Sequence, residues 1–139
     1  MTNRPAPGGN AANNDICQKI IQDDQHAELL VTTANQLGQK LAKLLTTSQI
    51  RAIYGEVLRI KADWLESGND AREARARRAL TLLRPKLAYR AKKEKGQGVE
   101  ELKQVLDPAM AAVRNKEDFQ RFCEFFEAIL AYHKAHGGN

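Results

Sequence analysis

Apolar residues recur three and four positions apart along most of the chain, which is the spacing of one face of an α-helix. This spacing begins near Asp15 and continues to about His136. Ala, Leu, Lys, Arg, Glu and Gln dominate the composition, and these residues favour helices. The pattern predicts an all-α fold, a compact bundle of five to six helices forming a single domain over residues 14–139. Residues 1–13 are rich in Gly, Pro and Asn and are predicted to be a disordered N-terminal tail.

Short polar motifs indicate where several helices begin. Thr46-x-x-Gln49 has the form of a capping box, and Asp70-x-x-Glu73 and Asn115-x-x-Asp118 are spaced in the same way. Pro85 lies inside a helical pattern and predicts a kink or a break there. Between residues 16 and 45 the pattern is compatible with either one helix or two.

Charge is distributed unevenly along this helical pattern. The chain has 22 Lys and Arg against 17 Asp and Glu, a net charge of +5. Residues 72–95 contain ten basic residues and only two acidic ones, Glu73 and Glu94, so this segment carries +8 and the remainder −3. A nearly neutral body with one strongly basic helix is typical of a protein that binds a polyanion.

Three explanations of the basic segment remain open. Like charges one turn apart destabilise a helix, so a polyanionic partner, above all nucleic acid, is favoured over an acidic protein surface or a solvated face without a partner. Ser48–Val57 faintly resembles a DNA-reading helix-turn-helix, but its turn glycine, Gly55, lies inside a continuous helical pattern. Tyr89 lies among the cations and is as compatible with stacking on a base or sugar as with core packing.

Residue types that support catalysis do not combine into a reactive site. His133 and His136 have metal-compatible spacing, but no acidic third ligand lies beside them in sequence. Asp23-Asp24 lacks the second acidic cluster of a two-metal nuclease, and Cys17 and Cys123 form no CxxC pair. No nucleophile elbow or phosphate-cradling glycine loop is present. We therefore expect no enzymatic activity, no cofactor, no metal and no small-molecule substrate.

The compartment is predicted from what the sequence lacks. No apolar run approaches the ~18 residues that a membrane span requires, and no apolar region follows the N-terminus as in a signal peptide. We expect a cytoplasmic protein that does not bind a membrane and whose two thiols are free.

Three motifs, in order, resemble one family. Leu44–Arg51 (LLTTSQIR), Leu83–Tyr89 (LRPKLAY) and Phe125–Gly138 (FFEAILAYHKAHGG) are similar to motifs of the small helical subunit of the Csm effector complex, the type III-A CRISPR ribonucleoprotein. The family often has a short Ala-Gly-Arg after its Ala-Tyr. This chain instead has Arg90–Lys95 (RAKKEK), which keeps the positive charge but not the glycine.

The resemblance implies a role in antiviral defence. Members of that family are helical, have no nuclease chemistry of their own, and stack in several copies alongside a filament of backbone subunits. Together these subunits hold the guide RNA and its paired target RNA. The resemblance therefore implies that this chain has guide RNA, target RNA, the other Csm subunits and copies of itself as partners. Arg51 and Lys86 match the family's basic motif residues and are expected to contact RNA backbone.

The charge pattern and the resemblance together predict an RNA-backbone-binding subunit. A free-standing DNA-binding or nucleoid-type helical protein and a protein-interaction scaffold with a basic docking face are the alternatives. The candidate RNA-binding residues are Arg51, Arg78, Arg84, Lys86, Tyr89, Arg90, Lys92 and Lys93.

Overall fold

Six α-helices account for most of the residues that the structure describes. A computed structural model describes residues 8–65, 68 and 70–139. Within these residues there is no strand, which confirms the all-α prediction. The helices are α1 (Gly8–Gln22), α2 (Ala27–Leu41), α3 (Thr47–Leu65), α4 (Asp70–Lys93), α5 (Gly98–Ala111) and α6 (Lys116–Ala135), with a short 3-10 turn, Asp24–His26, between α1 and α2.

The first two helices are separate. Asp23 is extended, and its carboxylate accepts a hydrogen bond from the backbone N–H of Gln25 at 2.9 Å, which starts the 3-10 turn. Helix α1 begins at Gly8, earlier than the start expected near Asp15, and the Asn13 side chain donates to the carbonyl of Gln104 at 3.0 Å. Residues 1–7 lie outside the described residues, so the disordered tail stays a prediction.

The predicted capping motifs form at two helix starts. The backbone N–H of Thr46 donates to the Gln49 side chain at 2.9 Å, and the N–H of Gln49 donates to the Thr46 hydroxyl at 3.1 Å. The Asn115 side chain accepts from the N–H of Asp118 at 2.9 Å and caps α6. These bonds satisfy backbone donors that the first turn of a helix otherwise leaves unpaired.

Pro85 does not break α4. The helix continues from Asp70 to Lys93. The sequence predicted either a kink or a break at Pro85, and this continuity excludes the break. Pro85 itself is exposed, whereas Leu83 and Leu87 on either side of it are buried. Packing of these leucines stabilises the helix across the position where proline removes a backbone hydrogen bond.

The core is built around α6. This helix packs against α1, α2 and α3, and its four phenylalanines are fully buried. Trp64 of α3 stacks on Phe119 with 4.8 Å between ring centroids, and Tyr54 meets the ring of Phe126 edge-on at 5.0 Å. Helix α4 lies at the edge of the bundle, packed chiefly against α3 on one flank and α5 on the other. Its outer surface is therefore available to solvent.

Candidate nucleic-acid interface

The basic helix α4 is held to the bundle by one narrow apolar stripe. Ala76, Leu80, Leu83 and Leu87 are its buried residues, and they recur three or four positions apart. Nine of the ten cations of residues 72–95 lie on α4 but off this stripe, and Lys95 follows the end of the helix. The burial pattern therefore places the excess positive charge of this segment on the protein surface.

Half of these cations are paired with carboxylates. The pairs that join α4 to its neighbours require the tertiary structure, because Asp63 belongs to α3 and Asp107 to α5. The paired cations are Arg72 and Arg75 with Asp63, Arg77 with Glu73, Arg84 with Asp107, and Arg90 with Glu94, at 2.9 to 3.9 Å. These residues contribute to packing of the flanks as well as to positive charge.

The other half form the set that we call the outer cations: Arg78, Lys86, Lys92, Lys93 and Lys95. All five are exposed, and none has a carboxylate within 4.0 Å among the described residues. Their charge is therefore uncompensated locally, which is the electrostatic condition for binding phosphates.

A groove runs along the flank where α4 meets α3. Its volume is about 840 Å³. Leu82 and Tyr89 line it and are unusually exposed for their size, 45% and 67% of their surfaces. The rest of the lining consists of Ile53, Glu56, Leu83, Pro85, Lys86, Leu87, Arg90, Lys93 and Glu94. The groove is thus apolar along its wall and charged at its rim. Four of the eight candidate residues, Lys86, Tyr89, Arg90 and Lys93, are brought together here.

Arg84 faces the opposite flank of α4. Its guanidinium donates two hydrogen bonds to the carboxylate of Asp107, at 2.9 and 3.1 Å. These hydrogen bonds raise the pKa of Arg84 above its already high ordinary value. The side chain therefore ties α4 to α5, and its charge is partly neutralised before any ligand arrives.

Arg51 lies on a different helix and a different face. It is the fifth residue of α3, is exposed, and has no carboxylate within 4.0 Å among the described residues. Glu56 marks the side of α3 that lines the groove. At 3.6 residues per turn, Arg51 lies about 140° around the helix from Glu56. Any contact that Arg51 makes is separate from the groove.

The sequence did not identify Ile53, Leu82 and Glu56 as neighbours of the candidate residues. One signal was available for Leu82, since it falls outside the 76-80-83-87 spacing of the buried stripe and is therefore expected to be exposed. That Ile53 lines the same groove as residues of α4 depends on how two helices cross, which the sequence pattern does not encode.

The histidines and cysteines considered for other chemistry have structural contacts. His133 is buried, and its Nε2 donates to the carbonyl of Leu45 at 2.7 Å, whereas His136 contacts the side-chain oxygen of Asn35 at 2.6 Å. Burial raises the pKa of Cys17 and of Cys123 to about 12, which keeps both thiols protonated at neutral pH.

Metal-ligating clusters and membrane-spanning helices are both absent from the described part of the chain. No group of three His, Cys, Asp or Glu side chains there is placed to hold a metal ion. None of the described helices combines the length and the apolar character needed to cross a membrane.

Comparison with known proteins extends this picture. The family model described as Csm2 Type III-A matches residues 24–139. The chain belongs to the Csm2 type III-A family. The curated "CRISPR system Cms protein Csm2" of Streptococcus thermophilus is 31% identical over 96 residues, which cover 68% of this chain and 75% of that protein. No solved structure matches the chain. The family resemblance drawn from the three motifs is confirmed.

Proposed function

We propose that this Csm2-family chain is a non-catalytic structural subunit of a cytoplasmic type III-A CRISPR ribonucleoprotein. In this role it stacks in several copies beside the other Csm subunits and holds the backbone of guide RNA and target RNA. The observation that carries the proposal is the set of five outer cations, four on α4 and Lys95 just after it, which have no carboxylate partner among the described residues.

The contact proposed is mainly with phosphates. Lys86, Lys92 and Lys93 offer compact point charges, and Arg78 offers a planar fork that can bind a phosphate through two donors. Such contacts fix the position of a nucleic-acid strand without reading its sequence. Binding should therefore depend little on sequence and weaken steeply with salt.

The remaining candidates have narrower roles in this proposal. Arg90 reaches RNA from the groove rim only by sharing its guanidinium with Glu94, 2.9 Å away. Arg84 acts mainly through the net charge of its flank, because two of its donors are already bonded to Asp107. Arg51 supplies a second contact near the start of α3, where the positive end of the helix dipole also favours phosphate.

The direct test is fluorescence anisotropy with the purified chain. Labelled single-stranded RNA, RNA duplex and DNA duplex are titrated at two salt concentrations with wild type and with Lys86→Glu and Lys92→Glu. The matched control is Lys134→Glu, an equal change of charge at an exposed lysine of α6 that has no carboxylate within 4.0 Å among the described residues.

The expected result is specific to the α4 face. Each α4 reversal should weaken RNA binding and flatten the logarithmic salt dependence by about 0.7–0.9 for each phosphate that the variant no longer binds, and Lys134→Glu should change neither. If all three reversals have equal effects, only net charge matters and the α4 clamp is wrong. Tighter binding to DNA duplex than to RNA would favour a free-standing DNA-binding protein.

A second test uses the assembled complex. If complex purified without this subunit holds target RNA as well as the intact complex does, the clamp is wrong. Tight association with another Csm subunit that survives nuclease treatment, together with no RNA affinity, would favour the alternative of a protein scaffold with a basic docking face.

A further inference from the structure

The groove between α3 and α4 has a chemistry that a phosphate clamp does not require. Phosphates are bound by donors and cations and gain nothing from an apolar wall, which excludes water without offering partners. The side chains of Leu82, Pro85 and Tyr89 nevertheless form an apolar surface beside the outer cations. Leu82 and Tyr89 remain 45% and 67% exposed, which leaves that surface uncovered in the isolated chain.

The charge around this apolar surface is positive. Glu94 is already engaged, since it accepts a hydrogen bond from Arg90 at 2.9 Å and another from Gln49 at 3.0 Å. Glu56 pairs with Arg59 at 3.2 Å. The two groove lysines, Lys86 and Lys93, have no such partner among the described residues. A ligand that enters the groove therefore meets an apolar wall and two uncompensated positive charges.

Tyr89 is placed to contact a flat ligand. Its ring is largely exposed, and the Lys93 ammonium lies 5.9 Å from the ring centroid. An aromatic ring beside cations is the combination that binds an unpaired base by stacking and its adjoining phosphate by charge. The groove volume of about 840 Å³ falls within the range of sites for small ligands and exceeds what one base requires.

We propose that this groove binds an unstacked RNA base against Tyr89, with the flanking phosphates at Lys86 and Lys93. This inference rests on the proposed function. The α4 face then does more than attract RNA backbone, because it prefers RNA with an unpaired nucleotide over continuous duplex. In a duplex both faces of a base are already stacked on the neighbouring bases, so they are not accessible to the Tyr89 ring. The excess of cations over free carboxylates at the rim favours RNA over an apolar protein segment as the occupant.

The test compares two substitutions of one side chain. Tyr89→Phe keeps the ring, whereas Tyr89→Leu keeps an apolar side chain but removes the stacking surface. The probe is single-stranded RNA containing one 2-aminopurine, whose fluorescence responds to stacking, with the same sequence as RNA duplex for comparison. Circular dichroism and thermal unfolding check that each variant is folded, and Lys92→Glu tests backbone contact outside the groove.

The expected result separates base binding from phosphate binding. Tyr89→Leu should weaken binding of the unpaired RNA about 5- to 150-fold and abolish the 2-aminopurine response, because stacking contributes this much per base. Tyr89→Phe should stay within about twofold of wild type, and the salt dependence of both variants should be unchanged, since no phosphate contact is removed.

Each other outcome has a distinct meaning. Absence of RNA binding by wild type overturns both this proposal and the proposed function. Unchanged RNA binding by Tyr89→Leu overturns the base site and leaves the clamp standing, provided that Lys92→Glu still weakens binding. Equal weakening on unpaired and duplex RNA also overturns the base site. If Tyr89→Leu binds RNA normally but no longer assembles with the other subunits, the occupant is a protein segment.

Discussion

Helices α4 and α6 have similar lengths but opposite relations to the core. Eight of the 20 residues of α6 are buried, including four phenylalanines and the charged Asp118, whereas only four of the 24 residues of α4 are buried. Helix α6 packs against three other helices and α4 chiefly against two. The comparison separates the residues that stabilise the fold from those that remain free to bind a ligand.

The largest effect is expected from truncating the centre of α6. Phe126 is fully buried and contacts the rings of Tyr54 and Phe122 edge-on at 5.0 and 6.3 Å. Phe126→Ala should lower the free energy of unfolding by about 3–5 kcal/mol through reduced apolar burial and the cavity left behind. Leu82→Ala on α4 should cost less than about 1 kcal/mol, because that side chain is already half exposed. Urea denaturation of both variants measures the contrast, and equal destabilisation would contradict it.

The next largest effect concerns the buried carboxylate of α6. Asp118 is fully buried and accepts hydrogen bonds from Arg114 at 2.8 Å and from Arg121 at 2.9 Å. Asp118→Asn should lower the free energy of unfolding by about 1.5–3 kcal/mol, because a fully buried carboxylate that accepts charged hydrogen bonds is replaced by a neutral amide. Asp107→Asn, which breaks the more exposed pair with Arg84, should cost about 1 kcal/mol or less. Urea denaturation at neutral pH ranks the two variants, and the reverse order would contradict this expectation.

The same carboxylate should make stability depend on pH. Burial raises the pKa of Asp118, but the hydrogen bonds from Arg114 and Arg121 outweigh burial, so its pKa lies below the ordinary value. The folded state therefore binds the proton less readily than the unfolded state. The stabilisation is fully present above about pH 4 and disappears as pH falls through the depressed pKa. The free energy of unfolding, measured from about pH 6 down to about pH 2, should vary less for Asp118→Asn than for wild type.

Alanine substitutions at two glycines should change the free energy of unfolding by intermediate amounts and in opposite directions. A Cβ added at Gly38 of α2 would lie 2.6 Å from Cβ of Tyr132 and 2.8 Å from the backbone N of His133 in α6. Gly38→Ala should therefore cost about 1–3 kcal/mol by forcing the two helices apart. Gly55 of α3 has nothing within 4 Å of the same position, so Gly55→Ala should stabilise by about 0.5–1 kcal/mol. Thermal unfolding should move in opposite directions for the two variants.

The smallest effect on stability is expected on the outer face of α4. Lys86→Gln and Lys92→Gln remove exposed charges that have no carboxylate within 4.0 Å among the described residues. The free energy of unfolding should change by no more than about 0.5 kcal/mol, with a slight gain where repulsion between neighbouring cations is relieved. RNA affinity should fall in the same proteins. Destabilisation comparable to that of Phe126→Ala would mean that these lysines serve the fold.

Much of the fold was predictable because its signals are local. The capping motifs at Thr46 and Asn115 join atoms three residues apart, so sequence spacing alone identifies both helix starts. The separation of α1 from α2 was left open, since it depends on the extended backbone of Asp23 and not on apolar spacing. Pro85 suggested a kink or a break, and the burial of Leu83 and Leu87 on either side accompanies a helix without a break.

The candidate site was predictable only in part, because the sequence shows the charges and their i,i+4 pairs but not the ion pairs formed between different helices. The excess of cations in residues 72–95 follows from composition alone. Arg84 and Lys86 are nearly adjacent in that segment, yet Arg84 is bound to Asp107 of α5 and Lys86 faces the groove beside α3. Only the packing of α4 between these two helices decides which cation is neutralised.

The order of residues was sufficient to establish that this protein is helical, where several of its helices begin, and that one helix is strongly basic. Helix periodicity and capping act within about four residues, and net charge adds without regard to shape. Packing of the helices determined which cations of α4 pair with Asp63 and Asp107 on neighbouring helices. It also determined that Leu82 and Tyr89 share a groove with Ile53 of α3. These facts depend on the side chains that a neighbouring helix presents, and helix crossings bring together residues far apart in sequence.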